Sequence, residues 1–128
     1  MGQLDRCPVL VVEDNASTNE ALTILLSMCG YFAISANNGH EALTMLRAGL
    51  RPAVIVLDLM MPFVDGWEVL RETAADPTLE RIPVVVYSSA GRERIPVGVA
   101  AYVPKVSDPD VLLDAINNLA RPPLASEE

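Results

Sequence analysis

Two short apolar runs in this sequence end directly on acid: Val9–Val12 leads into Glu13 and Asp14, and Val54–Leu57 leads into Asp58. Two others deliver a hydroxyl and an ammonium. Val84–Val86 is followed by Ser88, and Ala100–Val103 by Lys105, the only lysine in the chain. Three carboxylates gathered in one crevice repel one another by on the order of 1–4 kcal/mol per pair at surface-like dielectric unless a cation fills the gap. An all-oxygen donor set selects a hard cation, and few protein ligands with room for water suit Mg²⁺ best. A hydroxyl and an ammonium beside it would hold the oxygens of an anion, for which a phosphoryl group makes chemical sense. A carboxylate can attack phosphorus to give an aspartyl phosphate while the metal and lysine neutralise charge on the transferring oxygens.

The runs that carry these residues lack period-two alternation, as expected of strands covered on both faces of a parallel sheet. A weaker strand is expected at about Ala33–Ala36. Helical periodicity fills the intervals. Leu22, Leu25, Leu26 and Cys29 share one face behind Ser17 and Glu20 at capping-box spacing, with Gly30 as the stop. Asn38 and Glu41 can cap a helix burying Leu43 and Leu46, and Asp65 can cap one running through Val69 and Leu70. Ser107 and Asp110 precede the stripe Leu112, Ala115, Ile116 and Leu119. Strand and helix alternate, which predicts a doubly wound α/β sandwich. Right-handed crossovers put every strand's C-terminal end, and so Glu13, Asp14, Asp58, Ser88 and Lys105, on one edge of the sheet.

With 128 residues, 51% apolar and 20% charged, the chain reads as one domain, residues 1–128, with a core at about 8–119 and a tail at 120–128. A net charge of −8 argues against direct nucleic-acid binding. No apolar run approaches a membrane span, so no membrane insertion and a cytoplasmic location are expected. Cys7 and Cys29 are expected to be buried free thiols. A lone His40, expected to be solvated, leaves no basis for a His-cluster zinc site or a Ser-His-Asp triad.

In order and spacing these residues resemble the receiver domain of two-component response regulators, of the single-domain chemotaxis type. The resemblance spans about Pro8 to Leu119 and rests on Glu13 and Asp14, on Asp58 with Met61-Pro62 and Asp65-Gly66, and on Ser88 and Lys105. It implies a flavodoxin-like, five-stranded parallel sheet of order 2-1-3-4-5 with helices on both faces. It further implies Asp58 as phosphoacceptor, and Glu13, Asp14, Asp58 and the Met60 backbone carbonyl around Mg²⁺. Ser88 and Lys105 would contact the phosphoryl oxygens. Tyr102 matches the aromatic switch position, whose ring turns inward as the hydroxyl residue, here Ser88, moves toward the phosphoryl group. The implied partners are a histidine kinase or histidine phosphotransfer protein and a downstream protein target. Such a chain acts as a phosphorelay signalling switch; it catalyses its own phosphorylation and dephosphorylation and is not an enzyme that turns over a separate substrate.

The pattern departs from the family in places. Val106 follows the lysine where proline is usual, Pro104 precedes it, and Glu stands for Asp at position 13. Residues 89–104 leave room for only a shortened fourth helix, since Pro96 and Gly98 fall within them. The usual dimer through a fourth helix and fifth strand is therefore not expected. Met60 and Ala90, at the positions that tune dephosphorylation, cannot hold an attacking water, which predicts a long-lived phosphoryl group. Met60 also lacks the acid that an aspartyl-phosphate phosphatase needs there, and Glu13 and Asp14 would repel a flavin phosphate. The alternative function is a degenerate receiver acting as a phosphorylation-independent interaction module.

Overall fold

The computed structural model describes residues 7–61, 65–91, 94–95 and 98–120. Five strands, β1 (Pro8–Val12), β2 (Phe32–Ala36), β3 (Val54–Leu57), β4 (Val84–Ser88) and β5 (Ala101–Pro104), form one sheet of order β2-β1-β3-β4-β5. All four pairings are parallel. The central strands β1 and β3 are buried almost throughout, so their unalternating aliphatic runs are what a sheet covered on both faces requires.

Among the described residues, four α-helices cover the faces: α1 (Ala16–Met28), α2 (Gly39–Arg47), α3 (Gly66–Ala75) and α4 (Pro109–Leu119). Odd and even positions of β1 divide the core. Val9 and Val11 pack with Leu22 and Leu26 of α1 and with Leu112 and Ile116 of α4. Leu10 and Val12 pack with Leu43 and Leu46 of α2 and with Val69 of α3.

Asn38 and Asp65 cap α2 and α3 as expected, accepting the Glu41 and Glu68 amides at 2.7 and 3.0 Å. The start of α1 differs from expectation. Asn15, not Ser17, is the N-cap, its side chain accepting the Thr18 amide at 2.9 Å, because the chain turns from β1 into the helix within three residues. Asp108 and Pro109, rather than Ser107, open α4, and no side chain caps it. Cys29 is a correction: it is exposed, since it ends α1 beyond the buried face of Leu22 and Leu26. Cys7 is half-buried, its thiol donating to the Ala120 carbonyl at 3.0 Å. His40 is exposed.

Among the described residues, no α-helix joins β4 to β5; the Arg94 amide donates to the Gly91 carbonyl at 2.9 Å. Gly98 then takes φ +105°, a conformation that side-chain-bearing residues rarely adopt. Pro62 and Pro96 and the tail beyond Ala120 lie outside the described residues.

Candidate functional site

Parallel pairing sets the ends of β1 and β3 side by side, with Val12 opposite Leu57. The ladder continues one residue further on each side: the Glu13 amide donates to the Ala36 carbonyl and the Asp58 amide to the Val12 carbonyl, both at 3.1 Å. Both acids are thereby buried, at 2% and 4% exposure, while Asp14 next to them faces solvent. One carboxylate oxygen from each of Glu13, Asp14 and Asp58 lies within 4.8 Å of the others.

Lys105 arrives from the far strand. Its amide donates to the Ser88 carbonyl at 3.1 Å, extending the β4–β5 ladder beyond Pro104. Its ammonium stands 2.8 Å from Glu13 Oε1 and 3.2 Å from Asp58 Oδ2. Burial alone would depress the lysine, but Glu13 and Asp58 outweigh that effect and hold its pKa above the ordinary value. For Glu13 the balance runs the other way. Burial pushes its carboxyl up, and Lys105 and the Asn15 amide, 3.1 Å from Oε2, only partly oppose it. Glu13 Oε1 is ion-paired to Lys105 but makes no well-formed hydrogen bond.

Ser88, fully buried, donates from Oγ to Asp58 Oδ1 at 3.0 Å. The same carboxylate oxygen accepts the Met60 amide at 3.1 Å. The Met60 side chain is half exposed, and its sulfur meets the Ser89 hydroxyl at 3.9 Å. Tyr102 donates from its hydroxyl to the Ala90 carbonyl at 2.9 Å, and Ala90 in turn donates its amide to Ser88 Oγ at 3.2 Å. Tyr87 packs on the α1–α4 face of the sheet.

Two further residues support the site. Asn19, buried on α1, donates to the Glu13 and Ala36 carbonyls, both at 3.0 Å, and accepts the Ser35 hydroxyl at 2.7 Å. It ties the ends of β1 and β2 together. The signal was available: an amide three positions ahead of Leu22 and seven ahead of Leu26 falls on their apolar face. Gly66 is the other. Its amide donates to the Leu59 carbonyl at 3.1 Å, and a Cβ there would lie 2.5 Å from the Asp58 carbonyl oxygen. Only glycine lets α3 start this close to the acid-bearing loop.

One ammonium against three carboxylates leaves two negative charges uncompensated, the charge of a single divalent cation. Oxygen-only donors, one of them exposed, fit Mg²⁺ with water completing its coordination.

The family model described as "Response regulator receiver domain" matches residues 9–117. Among curated proteins, the chain is 36% identical over 118 residues to the "Probable transcriptional regulator ycf27" of Guillardia theta, covering 88% of this chain and 45% of that protein. The chain thus spans about half the length of the first curated relatives it matches. Among solved structures, it resembles the signal receiver domain of a signal transduction histidine kinase from Syntrophus aciditrophicus, with 28% identity and TM-score 0.82 over 89% of each chain. It also resembles the response regulator protein TrrA from Thermotoga maritima in complex with Mg²⁺-BeF, with 27% identity and TM-score 0.78, covering 88% of this chain and 98% of that one. No described helix is long and apolar enough to cross a membrane.

Proposed function

This chain belongs to the response regulator receiver domain family, and from that premise we propose that it is a single cytoplasmic receiver unit that takes a phosphoryl group on Asp58 from a histidine kinase or histidine phosphotransfer protein. Receiver domains are signalling switches and do not turn over a separate substrate. The supporting observation is that Asp58 meets Ser88 at 3.0 Å and Lys105 at 3.2 Å while sharing a 4.8 Å cluster with Glu13 and Asp14.

A carboxylate oxygen of Asp58 forms the new bond to phosphorus as the phosphorus–nitrogen bond of phosphohistidine breaks, and the departing imidazole nitrogen takes a proton from solvent. Glu13, Asp14, Asp58 and the Met60 carbonyl would hold Mg²⁺. When bound, it neutralises charge on the phosphoryl oxygens. Lys105 stabilises the same oxygens from its own side, and its contact with Glu13 keeps it aimed there. Ser88 can turn its hydroxyl from Asp58 to a phosphoryl oxygen once Asp58 is esterified. Because Ala90 holds both Ser88 Oγ and the Tyr102 hydroxyl, that turn is passed to Tyr102 and so to a surface read by a downstream protein.

Of the three features that favoured a phosphorylation-independent module, the shortened fourth crossover lies outside the acid cluster, Glu in place of Asp at position 13 still reaches Lys105, and Val106 in place of proline leaves the lysine on Asp58, which supports the phosphoacceptor reading. The test is incubation with Mg²⁺ and acetyl phosphate, read by intact mass. One added phosphoryl group, absent in Asp58→Asn, is expected; an unmodified wild-type chain, or an adduct that survives the substitution, overturns the assignment.

A further inference from the structure

Among the described residues no α-helix joins β4 to β5, so that connection must be held in place by something other than a packed helical face. The indole N–H of Trp67, in the first turn of α3, donates to the Arg94 carbonyl at 3.1 Å. The Arg94 guanidinium lies over the same ring, 4.8 Å from its centroid. Side chain and main chain of one residue thus grip a single indole, a cation on its face and an acceptor at its edge. The grip is anchored at both ends. Gly66, directly before Trp67, is pressed against the backbone of Asp58 and Leu59. Arg94 donates its amide to Gly91, the residue after Ala90, whose own amide is on Ser88 Oγ. A closed circuit of contacts runs from Asp58 through α3 to Arg94 and back through Ser88 to Asp58.

We infer that Trp67 is a positioning residue for phosphoryl capture: through Arg94 it holds Gly91 and with it the stretch from Ser88 to Gly91 where β4 ends, doing for the β4–β5 connection what a packed α-helix would otherwise do. The inference rests on the reading of Asp58 as phosphoacceptor. Trp67 touches no reacting atom. Its effect is on how often Ser88 is found where it meets Asp58, and the acid cluster, built on β1 and β3, is independent of it.

The experiment uses the full chain with Trp67→Phe, which keeps a ring under Arg94 but removes the donor, and Arg94→Ala, which keeps the acceptor but removes the cation. Phosphoryl uptake from acetyl phosphate is followed by intact mass across a magnesium titration, and hydrogen exchange of the Ala90 amide is measured in the unphosphorylated chain. Trp67→Phe should slow uptake on the order of three- to tenfold, with the magnesium concentration for half-maximal rate unchanged and Ala90 exchanging faster. Arg94→Ala should do the same to a smaller extent. Wild-type uptake in Trp67→Phe, unchanged Ala90 exchange, or a parallel loss of magnesium affinity overturns the inference, the last because it signals general loosening. If the wild type itself takes up no phosphoryl group, the Asp58 reading falls and the role in capture falls with it, while Ala90 exchange still decides whether the clamp exists.

Discussion

The ammonium of Lys105 lies 2.8 Å from a carboxylate oxygen of Glu13, a side chain only 2% exposed. Burial raises the acid's pKa despite that contact, so the charged form is held at a cost. Removing the charge does not orphan the lysine, which keeps Asp58 at 3.2 Å. Metal-free Glu13→Gln is therefore expected to be more stable than the native chain by about 1 kcal/mol, read as a higher urea midpoint. Added magnesium should stabilise the variant less than the native chain. A destabilised variant would show instead that the pair supports the fold.

Gly66 tests how tightly α3 is seated. Its φ is not in the left-handed region, so alanine there is penalised by what its Cβ would meet: the Asp58 carbonyl oxygen and Leu59 Cα, both at 2.5 Å, and Leu59 Cδ2 at 2.9 Å. The first two are backbone atoms and cannot rotate away. Gly66→Ala should cost about 1–3 kcal/mol in denaturant unfolding and slow phosphoryl uptake by displacing Asp58. A variant with native stability and rate would mean the loop yields freely.

Dephosphorylation needs a water aimed at phosphorus. Met60 offers a half-exposed thioether and Ala90 a methyl group, and neither side chain can hold a water by a strong hydrogen bond. Phosphorylated protein freed of the phosphodonor should therefore lose its phosphoryl group slowly in the presence of magnesium, over many minutes rather than seconds, as followed by intact mass of EDTA-quenched samples. Met60→Glu should shorten that lifetime. Decay within seconds in the native chain would indicate that a water is held by other groups.

Far from the site, Asp76 accepts both the hydroxyl and the amide of Thr78, at 2.7 and 2.8 Å. The hydroxyl bond is the main reason its carboxyl lies below the ordinary value of 3.8. A lowered acid stabilises the folded state above its unfolded pKa and loses that contribution as pH falls through the folded value, so the window opens near pH 3.8 and extends below it. In Thr78→Val, an NMR titration of Asp76 should move up toward 3.8, and the variant's stability should fall less steeply than the native chain's across that window. An unmoved titration would assign the shift to other causes.

How much of this was legible in the sequence depended on whether the governing pattern was local. The aliphatic runs of β1, β3 and β4 could be read because burial on both faces leaves no alternative pattern, and the residues after them follow from chain direction alone. Asn38 and Asp65 could be read as caps because each is followed three residues later by the amide it accepts. Ser17 misled because it has the same spacing to Glu20, while Asn15 lies closer to the strand end and takes the role first. Cys29 misled because helical spacing places a residue on a face but does not say where the neighbouring layer stops. The Trp67–Arg94 contact joins residues 27 positions apart through a main-chain carbonyl, which no side-chain pattern encodes.

At its outer margin the sheet stops on β5, a strand of four residues whose last, Pro104, has no amide hydrogen. A sixth strand seeking to zip alongside would find too few donors to continue the lattice. Recognition at this flank must therefore proceed through side chains, so a partner's specificity there can change by point substitution while the backbone scaffold behind it stays as it is.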